Sequence, residues 1–128
     1  MRRILLASVV LAGLSLSVSC QRAGEDALLI GRLFGDPSIG CVWIGGPRGG
    51  LEVDWPVFYD VDVEAVRIGG PGGFVAEEGD WFRMTGGTRP DVPITPGCPV
   101  PEPRSGRFVP AGIEYFGDVK PSDDLGDI

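Results

Sequence analysis

Apolar and polar residues alternate in short runs through most of this chain, and glycine or proline separates the runs. Residues 51–55, LEVDW, alternate strictly, which is the period of a strand with one buried face. Residues 39–44 and 81–86 are rich in β-branched and aromatic side chains, as strands usually are. No stretch after residue 26 has helical periodicity over three turns. The pattern therefore predicts an all-β domain.

Turn signals set the expected size and boundaries of this domain. Glycine- and proline-rich segments punctuate residues 27–116, which predicts five to six short strands. Six prolines between residues 88 and 104 predict an extended loop there, because proline cannot donate to a strand ladder. Residues 117–128 are acidic and are predicted to form a disordered tail.

Strands of this number and length favour a small barrel, similar to an OB-fold, with a sandwich as the alternative. Gly31 interrupts the first strand, which indicates a bulge or a close backbone contact.

An uncharged run over residues 4–19 precedes the domain. It follows Arg2 and Arg3 and ends in small residues before Cys20, which is the layout of a secretory signal. We therefore predict a signal peptide, helical in form, over residues 1–19. The polar residues 20–26 are predicted to be a tether.

Residues 16–20, LSVSC, resemble the lipobox of bacterial lipoproteins. The resemblance covers the first twenty residues and implies a palmitate-type lipid on Cys20, which becomes the first residue of the mature chain. It implies a membrane partner and an extracytoplasmic place in the cell envelope. The match departs from the usual pattern at Ser17, where leucine is common.

Two other fates of the leader remain open. Ser17 and Ser19 satisfy the small-x-small rule of ordinary signal cleavage, which would release a secreted protein. Alternatively, residues 4–18 stay as an uncleaved anchor, although this run is shorter than the about 20 residues that a spanning helix needs.

Cys41 and Cys98 are the two cysteines that remain after Cys20. In an oxidising compartment they are expected to form a disulfide. The chain-entropy model gives a bridge over such a separation roughly 4 kcal/mol. Two free buried thiols are the alternative.

Charge narrows the choice of partner. Removal of residues 1–19 takes away Arg2 and Arg3 but no acid, which lowers the formal net charge from −7 to −9. An acidic domain is repelled by phosphate backbones, so we expect no nucleic-acid partner.

Candidate chemistry is sparse. The chain has no histidine, which excludes Ser–His and Cys–His nucleophiles and any zinc site that contains histidine. The carboxylates near predicted strand ends, which nothing distinguishes from surface acids, are Glu52, Asp54, Glu77, Glu78 and Asp80. We therefore predict no catalytic, cofactor-binding or metal-binding residue and no enzyme. Asp60, Asp62 and Glu64 are expected to share one solvated strand face rather than to bind Ca²⁺.

Aromatic residues give the remaining candidates. Trp43 and Trp81 are expected in the core. Trp55 and Tyr59 flank predicted turns and form a candidate ligand face. The sequence thus predicts a lipid-anchored extracytoplasmic domain with a binding or structural role. A secreted ligand-binding barrel and a small carboxylate-dependent hydrolase are the alternatives.

Overall fold

The computed structural model describes residues 27–101 and 106–122. This part of the chain contains eight strands. In chain order they are β1 Ala27–Asp36, β2 Cys41–Gly46, β3 Gly49–Leu51, β4 Asp60–Asp62, β5 Arg67–Gly69, β6 Val75–Glu77, β7 Trp81–Arg89 and β8 Arg107–Gly117. A 3₁₀ turn, Pro71–Gly73, precedes β6. The all-β prediction is confirmed.

The strands form two antiparallel sheets. One has five strands in the order β3-β2-β1-β7-β8, and the other has three in the order β4-β5-β6. Residues 107–117 form one continuous strand, β8, and the short strands β4, β5 and β6 add a second sheet. The described strands therefore number eight rather than five or six.

The expectation of a closed barrel is wrong for the described residues. After β3, the chain reaches the far edge of the five-stranded sheet at one isolated parallel bridge, Val53 to Phe108. The ladder does not continue from this bridge, since Pro56 follows shortly and lacks a backbone donor. The five-stranded sheet consequently stays open.

The core lies between the two sheets. Its fully buried members come from both sheets and include Leu33, Ile44, Ile68, Ala76, Phe82, Met84 and Phe108. Aromatic rings line the junction: Phe74 stacks on Tyr115 with a centroid distance of 4.5 Å, and Phe82 lies 5.5 Å from Trp55. Such ring pairs contribute roughly 0.5–1.5 kcal/mol each beyond their buried area. They join the small sheet to the large one.

One cross-strand row on the opposite face of the five-stranded sheet combines two glycines with two large side chains. Strand register aligns Gly50 with Gly45, Gly45 with Arg32, and Arg32 with Trp81. Cross-strand partners point to the same face, so Arg32 and Trp81 stand beside two glycines. Gly31 packs closely, because a Cβ there would lie 2.8 Å from the nitrogen of Gly45.

A separate buried cluster surrounds the disulfide. Cys41 at the start of β2 is bonded to Cys98 in the proline-rich loop, with their Cα atoms 5.8 Å apart, which confirms the predicted pairing. Trp43 packs against the bridge and donates its indole N–H to the carbonyl of Gly46 at 2.8 Å. The disulfide ties the loop to the edge of the sheet, and a buried disulfide is typical of an oxidising, extracytoplasmic environment.

The predicted signal peptide and tether lie outside the described residues, as does the acidic tail from residue 123. Residues 118–122, which the sequence analysis assigns to the tail, lie against the sheet: Arg83 of β7 donates to the carbonyl of Ser122 at 2.8 Å. Within residues 27–101 and 106–122, no helix is long and apolar enough to cross a membrane.

Candidate functional site

The isolated bridge between Val53 and Phe108 sets up the main polar cluster. The amide of Asp54 donates to the carbonyl of Phe108 at 2.8 Å, and the amide of Phe108 donates to the carbonyl of Glu52 at 2.9 Å. These bonds fix the beginning of β8 beside residues 52–54. As a result, Arg107 lies next to two carboxylates, those of Glu52 and Asp54.

Glu52 is the buried centre of this cluster, with 9% of its side chain exposed. Its two carboxylate oxygens accept hydrogen bonds from the amide and the hydroxyl of Thr95, at 2.7 and 2.6 Å. The guanidinium of Arg107 lies 3.5 Å from Glu52 and 3.7 Å from Asp54, and it donates to the Thr95 hydroxyl at 3.3 Å. Burial of a carboxylate requires such compensation, which the loop and β8 supply together.

A cavity of about 290 Å³ opens beside this cluster, and we call it the Glu52–Arg107 pocket. Its polar wall consists of Glu52, Asp54, Thr95 and Arg107. The remaining lining residues are Gly40, Val42, Val53, Trp55, Val61 and Val63. An apolar wall opposite a few convergent polar groups is the usual composition of a small-molecule site.

The predicted ligand-face residues have different positions. Trp55 lines the pocket and is half-buried, whereas Tyr59 does not line it and instead contacts the Trp55 ring at a centroid distance of 5.6 Å. Burial raises the pKa of Tyr59 above its usual value. The indole nitrogen of Trp55 and Nε of Arg107 are buried without a hydrogen-bond acceptor among residues 27–101 and 106–122. Each such donor costs about 1–3 kcal/mol, although the nearby Glu52 carboxylate partly compensates the guanidinium.

A second and larger cavity, of about 500 Å³, lies on the other face of the sheet. We call it the Trp81 groove, and its lining residues are Ile30, Gly31, Gly45, Trp81, Lys120, Pro121 and Ser122. The guanidinium of Arg32 and the ammonium of Lys120 lie 5.5 and 5.8 Å from the centroid of Trp81. Trp81, which we expected in the core, is therefore only half-buried on the outer face.

Among the other acidic candidates, the Asp80 carboxylate has structural partners. Asp80 accepts the amide of Glu77 at 2.9 Å and the hydroxyl of Tyr115 at 2.7 Å. Burial, and next the hydrogen bond to Asp80, raise the pKa of Tyr115 to about 12. Glu78 is exposed in the turn before β7.

The expected acidic strand face is wrong. β4 ends at Asp62, so Glu64 lies in the following turn, where the Asp62 carboxylate accepts the amide of Ala65 at 3.2 Å. The three acids therefore do not line one strand face. A different acid, Glu52, lies within 4.8 Å of the sulfur atoms of Cys41 and Cys98, but these are bonded to each other and offer no thiolate ligand.

Sequence reasoning missed two residues of the pocket, Thr95 and Arg107. It identified Glu52 and Asp54 only as acids near a strand end. The signal for Arg107 is weak, because nothing local indicates that the first residue of β8 lies beside residues 52–54. Thr95 reaches Glu52 through a loop whose path depends on the disulfide.

Comparisons of the chain with protein-family models, with curated proteins and with solved structures find no match.

Proposed function

We propose that this chain is a lipid-anchored extracytoplasmic bacterial domain that binds a small, neutral, hydroxylated ligand in the Glu52–Arg107 pocket. The observation that carries the proposal is a buried carboxylate, fixed by Thr95 and Arg107, at the wall of a cavity that Trp55 also lines.

The charges of the pocket favour a neutral ligand. Glu52, Asp54 and Arg107 together carry one net negative charge, which disfavours an anion. A cationic ligand would compete with Arg107 for Asp54. A hydroxyl group both donates and accepts, so it can bond to the half-exposed Asp54 carboxylate without displacing the guanidinium.

The cavity shape supports the same ligand class. Four valines and the Trp55 ring supply apolar surface, which suits the carbon face of a sugar, while the polar wall suits its hydroxyl groups. A cavity of about 290 Å³ suits a monosaccharide rather than a long polymer.

A binding role is better supported than hydrolysis. General acid catalysis needs a carboxyl group that can transfer its proton to a leaving group. Both oxygens of Glu52 already accept hydrogen bonds from Thr95, and Arg107 lies against both Glu52 and Asp54. These contacts use the carboxylates as fixed acceptors.

The ligand is tested by nuclear magnetic resonance. The full chain carrying Cys20→Ser, so that no lipid is attached, is titrated with glucose and with N-acetylglucosamine while the indole N–H signal of Trp55 is followed. We expect a saturable shift with at least one sugar and a loss of about tenfold in affinity in Asp54→Asn, since one good hydrogen bond to a charged group is worth about 1.5 kcal/mol. Glu64→Gln, an exposed acid outside the pocket, is the matched control. Absence of saturable binding to either sugar would contradict the ligand assignment.

The anchor is tested separately by fractionation of a bacterial host. The unaltered chain is expected in the membrane fraction with a mass increase that corresponds to acyl groups on Cys20. Cys20→Ser should move the chain to the precursor or the medium, while Ser19→Ala keeps the cysteine and should stay with the membrane. If Cys20→Ser leaves the distribution unchanged, the chain is secreted or anchored by its leader instead.

A further inference from the structure

We propose that the turn over residues 56–59 is a membrane-contact site, at which Val57 and Phe58 insert into the interface of a bilayer of zwitterionic lipids. We call this turn the Val57–Phe58 tip. The inference rests on the lipid anchor of the proposed function, and it does not depend on sugar binding in the Glu52–Arg107 pocket.

Two consecutive apolar side chains are exposed at this tip. Val57 is 94% exposed and Phe58 is 69% exposed. Among the described residues, the other large apolar side chains that are mostly exposed are Val75 and Val119, and neither has such a neighbour in the chain. Exposed apolar residues that stand singly are ordinary on a protein surface, whereas adjacent ones indicate a contact surface.

The position of the pair within the turn is also unusual. The amide of Tyr59 donates to the carbonyl of Pro56 at 2.9 Å, which places Val57 and Phe58 at the two central positions of a β-turn. Glycine, proline, asparagine, aspartate and serine dominate such turns. The fold buries neither apolar side chain, so the pair remains available to a surface outside the domain.

Ring contacts fix the base of the tip. The ring of Tyr59 lies 5.4 Å from that of Phe58 and 5.6 Å from that of Trp55. Trp55 in turn lies 5.5 Å from the ring of the buried Phe82, and Tyr59 lies 6.1 Å from the ring of Phe74. A tip that is already ordered loses little conformational entropy when it meets another surface.

A neighbouring turn adds an uncharged surface. Residues 68–76, IGGPGGFVA, contain no ionisable side chain. This turn approaches the tip closely, because a Cβ at Gly70 would lie 3.0 Å from the ring of Tyr59. Charged groups are the most costly to remove from water, so an uncharged neighbour lets the tip enter a lipid interface.

The short connection to the anchor favours a lipid surface over other occupants. Ala27, the first residue of β1, follows Cys20 by seven positions. Seven extended residues reach at most about 25 Å, and a domain of this size has a radius of gyration of about 13 Å. An acyl group on Cys20 would therefore keep the domain beside the bilayer. Asp54 and Asp60 flank the tip, and these acids disfavour anionic head groups.

The test uses the processed chain, residues 20–128, on lipid nanodiscs of phosphatidylcholine. Cys41 and Cys98 are bonded to each other, so the thiol of Cys20 couples selectively to a lipid that bears a maleimide. Removal of residues 1–19 deletes nothing from the described part of the chain. A gadolinium chelate on some of the lipid head groups broadens the nuclear magnetic resonance signals of nearby nuclei.

We expect the methyl signals of Val57 to broaden more than those of Val119, an exposed valine outside the tip. Phe58→Ser should remove most of this excess, because it deletes the largest apolar side chain of the tip and leaves Val57 as the probe. Val119→Ser also deletes an exposed apolar side chain and should leave the broadening at Val57 unchanged. Val57→Ser and Val119→Ser assign the two sets of signals by their disappearance.

Three results would overturn the proposal. The first is equal broadening at Val57 and Val119 in the chain without substitutions, which would mean that the domain has no preferred face towards the lipid. The second is an undiminished excess at Val57 in Phe58→Ser. The third is a shift of the Val57 signals with rising protein concentration in the absence of lipid, which would make a second copy of the chain the occupant.

Two features of the design keep these results clear. Retained dispersion of the backbone amide spectrum shows that each variant is folded, as expected for substitutions at exposed positions. The chemical coupling replaces natural acylation, so the outcome on nanodiscs does not depend on lipidation in the cell. Fractionation of Cys20→Ser tests the anchor itself, and the two proposals therefore fail independently.

Discussion

The disulfide cluster and the Glu52–Arg107 pocket contain one tryptophan each, and the two indole N–H groups differ in their hydrogen bonding. Trp43, beside the disulfide, donates to the carbonyl of Gly46 at 2.8 Å. Trp55, beside the pocket, has a buried N–H with no acceptor in the described part of the chain, and the same holds for Nε of Arg107. Most buried polar groups in native proteins are paired, and the exceptions are concentrated where function or strain requires them.

The difference indicates that the two regions have different roles. The disulfide cluster stabilises the fold, and its indole N–H is hydrogen-bonded. The pocket contains two buried donors that the surrounding described residues do not satisfy. The two regions are connected, because Cys98 and Thr95 belong to the same loop, and the amide of Cys98 donates to the carbonyl of Thr95 at 3.1 Å. The disulfide therefore supports the loop that holds Glu52.

Removal of the disulfide should cause the largest loss of stability among the substitutions that test this comparison. Cys41→Ala with Cys98→Ala frees a link across 57 residues of sequence, and we expect the free energy of unfolding to fall by about 4 kcal/mol. Urea denaturation followed by tryptophan fluorescence measures it. Cys20→Ser, which removes a cysteine outside the bridge, is the control. A loss under about 1 kcal/mol would show that the loop is held by its other contacts.

Replacement of the Glu52 carboxylate, which Thr95 and Arg107 share, should cause the next largest loss of stability. Glu52→Gln keeps the shape but leaves the Arg107 guanidinium with Asp54 alone, and we expect a loss of about 2–3 kcal/mol because buried charges depend on their partners. Glu78→Gln, in an exposed turn, should change stability by less than about 0.5 kcal/mol. Equal effects of the two substitutions would remove Glu52 from the centre of the cluster.

The two tryptophans can be compared directly. Trp43→Phe deletes a satisfied donor in a fully packed cluster and should cost about 2 kcal/mol. Trp55→Phe deletes an unsatisfied donor, which offsets the lost packing, so its cost should be about 1 kcal/mol or less. Thermal or urea unfolding of both variants measures the difference. The reverse order would mean that the Trp55 donor has a partner in solution.

The smallest effect concerns alkaline pH. The pKa of Tyr115 is about 12 in the folded chain, against an ordinary value of 10.0. Between pH 10 and pH 12, Tyr115 is therefore deprotonated in the unfolded chain but keeps its proton in the folded chain. Unfolding then releases a proton, and stability falls as the pH rises above about 10. Tyr115→Phe should lose the Asp80 hydrogen bond at pH 8 but show a smaller further loss at pH 11. Parallel pH profiles for the two proteins would contradict the assignment.

Local sequence features predicted much of the scaffold. Short alternating runs between glycine and proline indicated strands, and Gly31 indicated the close contact that it makes with Gly45. The predicted closure into a barrel was wrong, because the lengths of short strands do not show whether the two edge strands of a sheet pair with each other. The second sheet was missed because three-residue strands such as β4 are too short to show a period.

The sequence by itself determined the β-rich class, the acidic character and the identity of the bridged cysteines, since only Cys41 and Cys98 remain once Cys20 is set aside as the predicted lipidation site. These properties depend on composition and on neighbours within a few residues. Tertiary structure alone decided that Arg107 lies beside Glu52 and that Arg32 shares a cross-strand row with Trp81. Both depend on pairing between segments about fifty residues apart, and a register shift of one residue would turn each side chain to the other face.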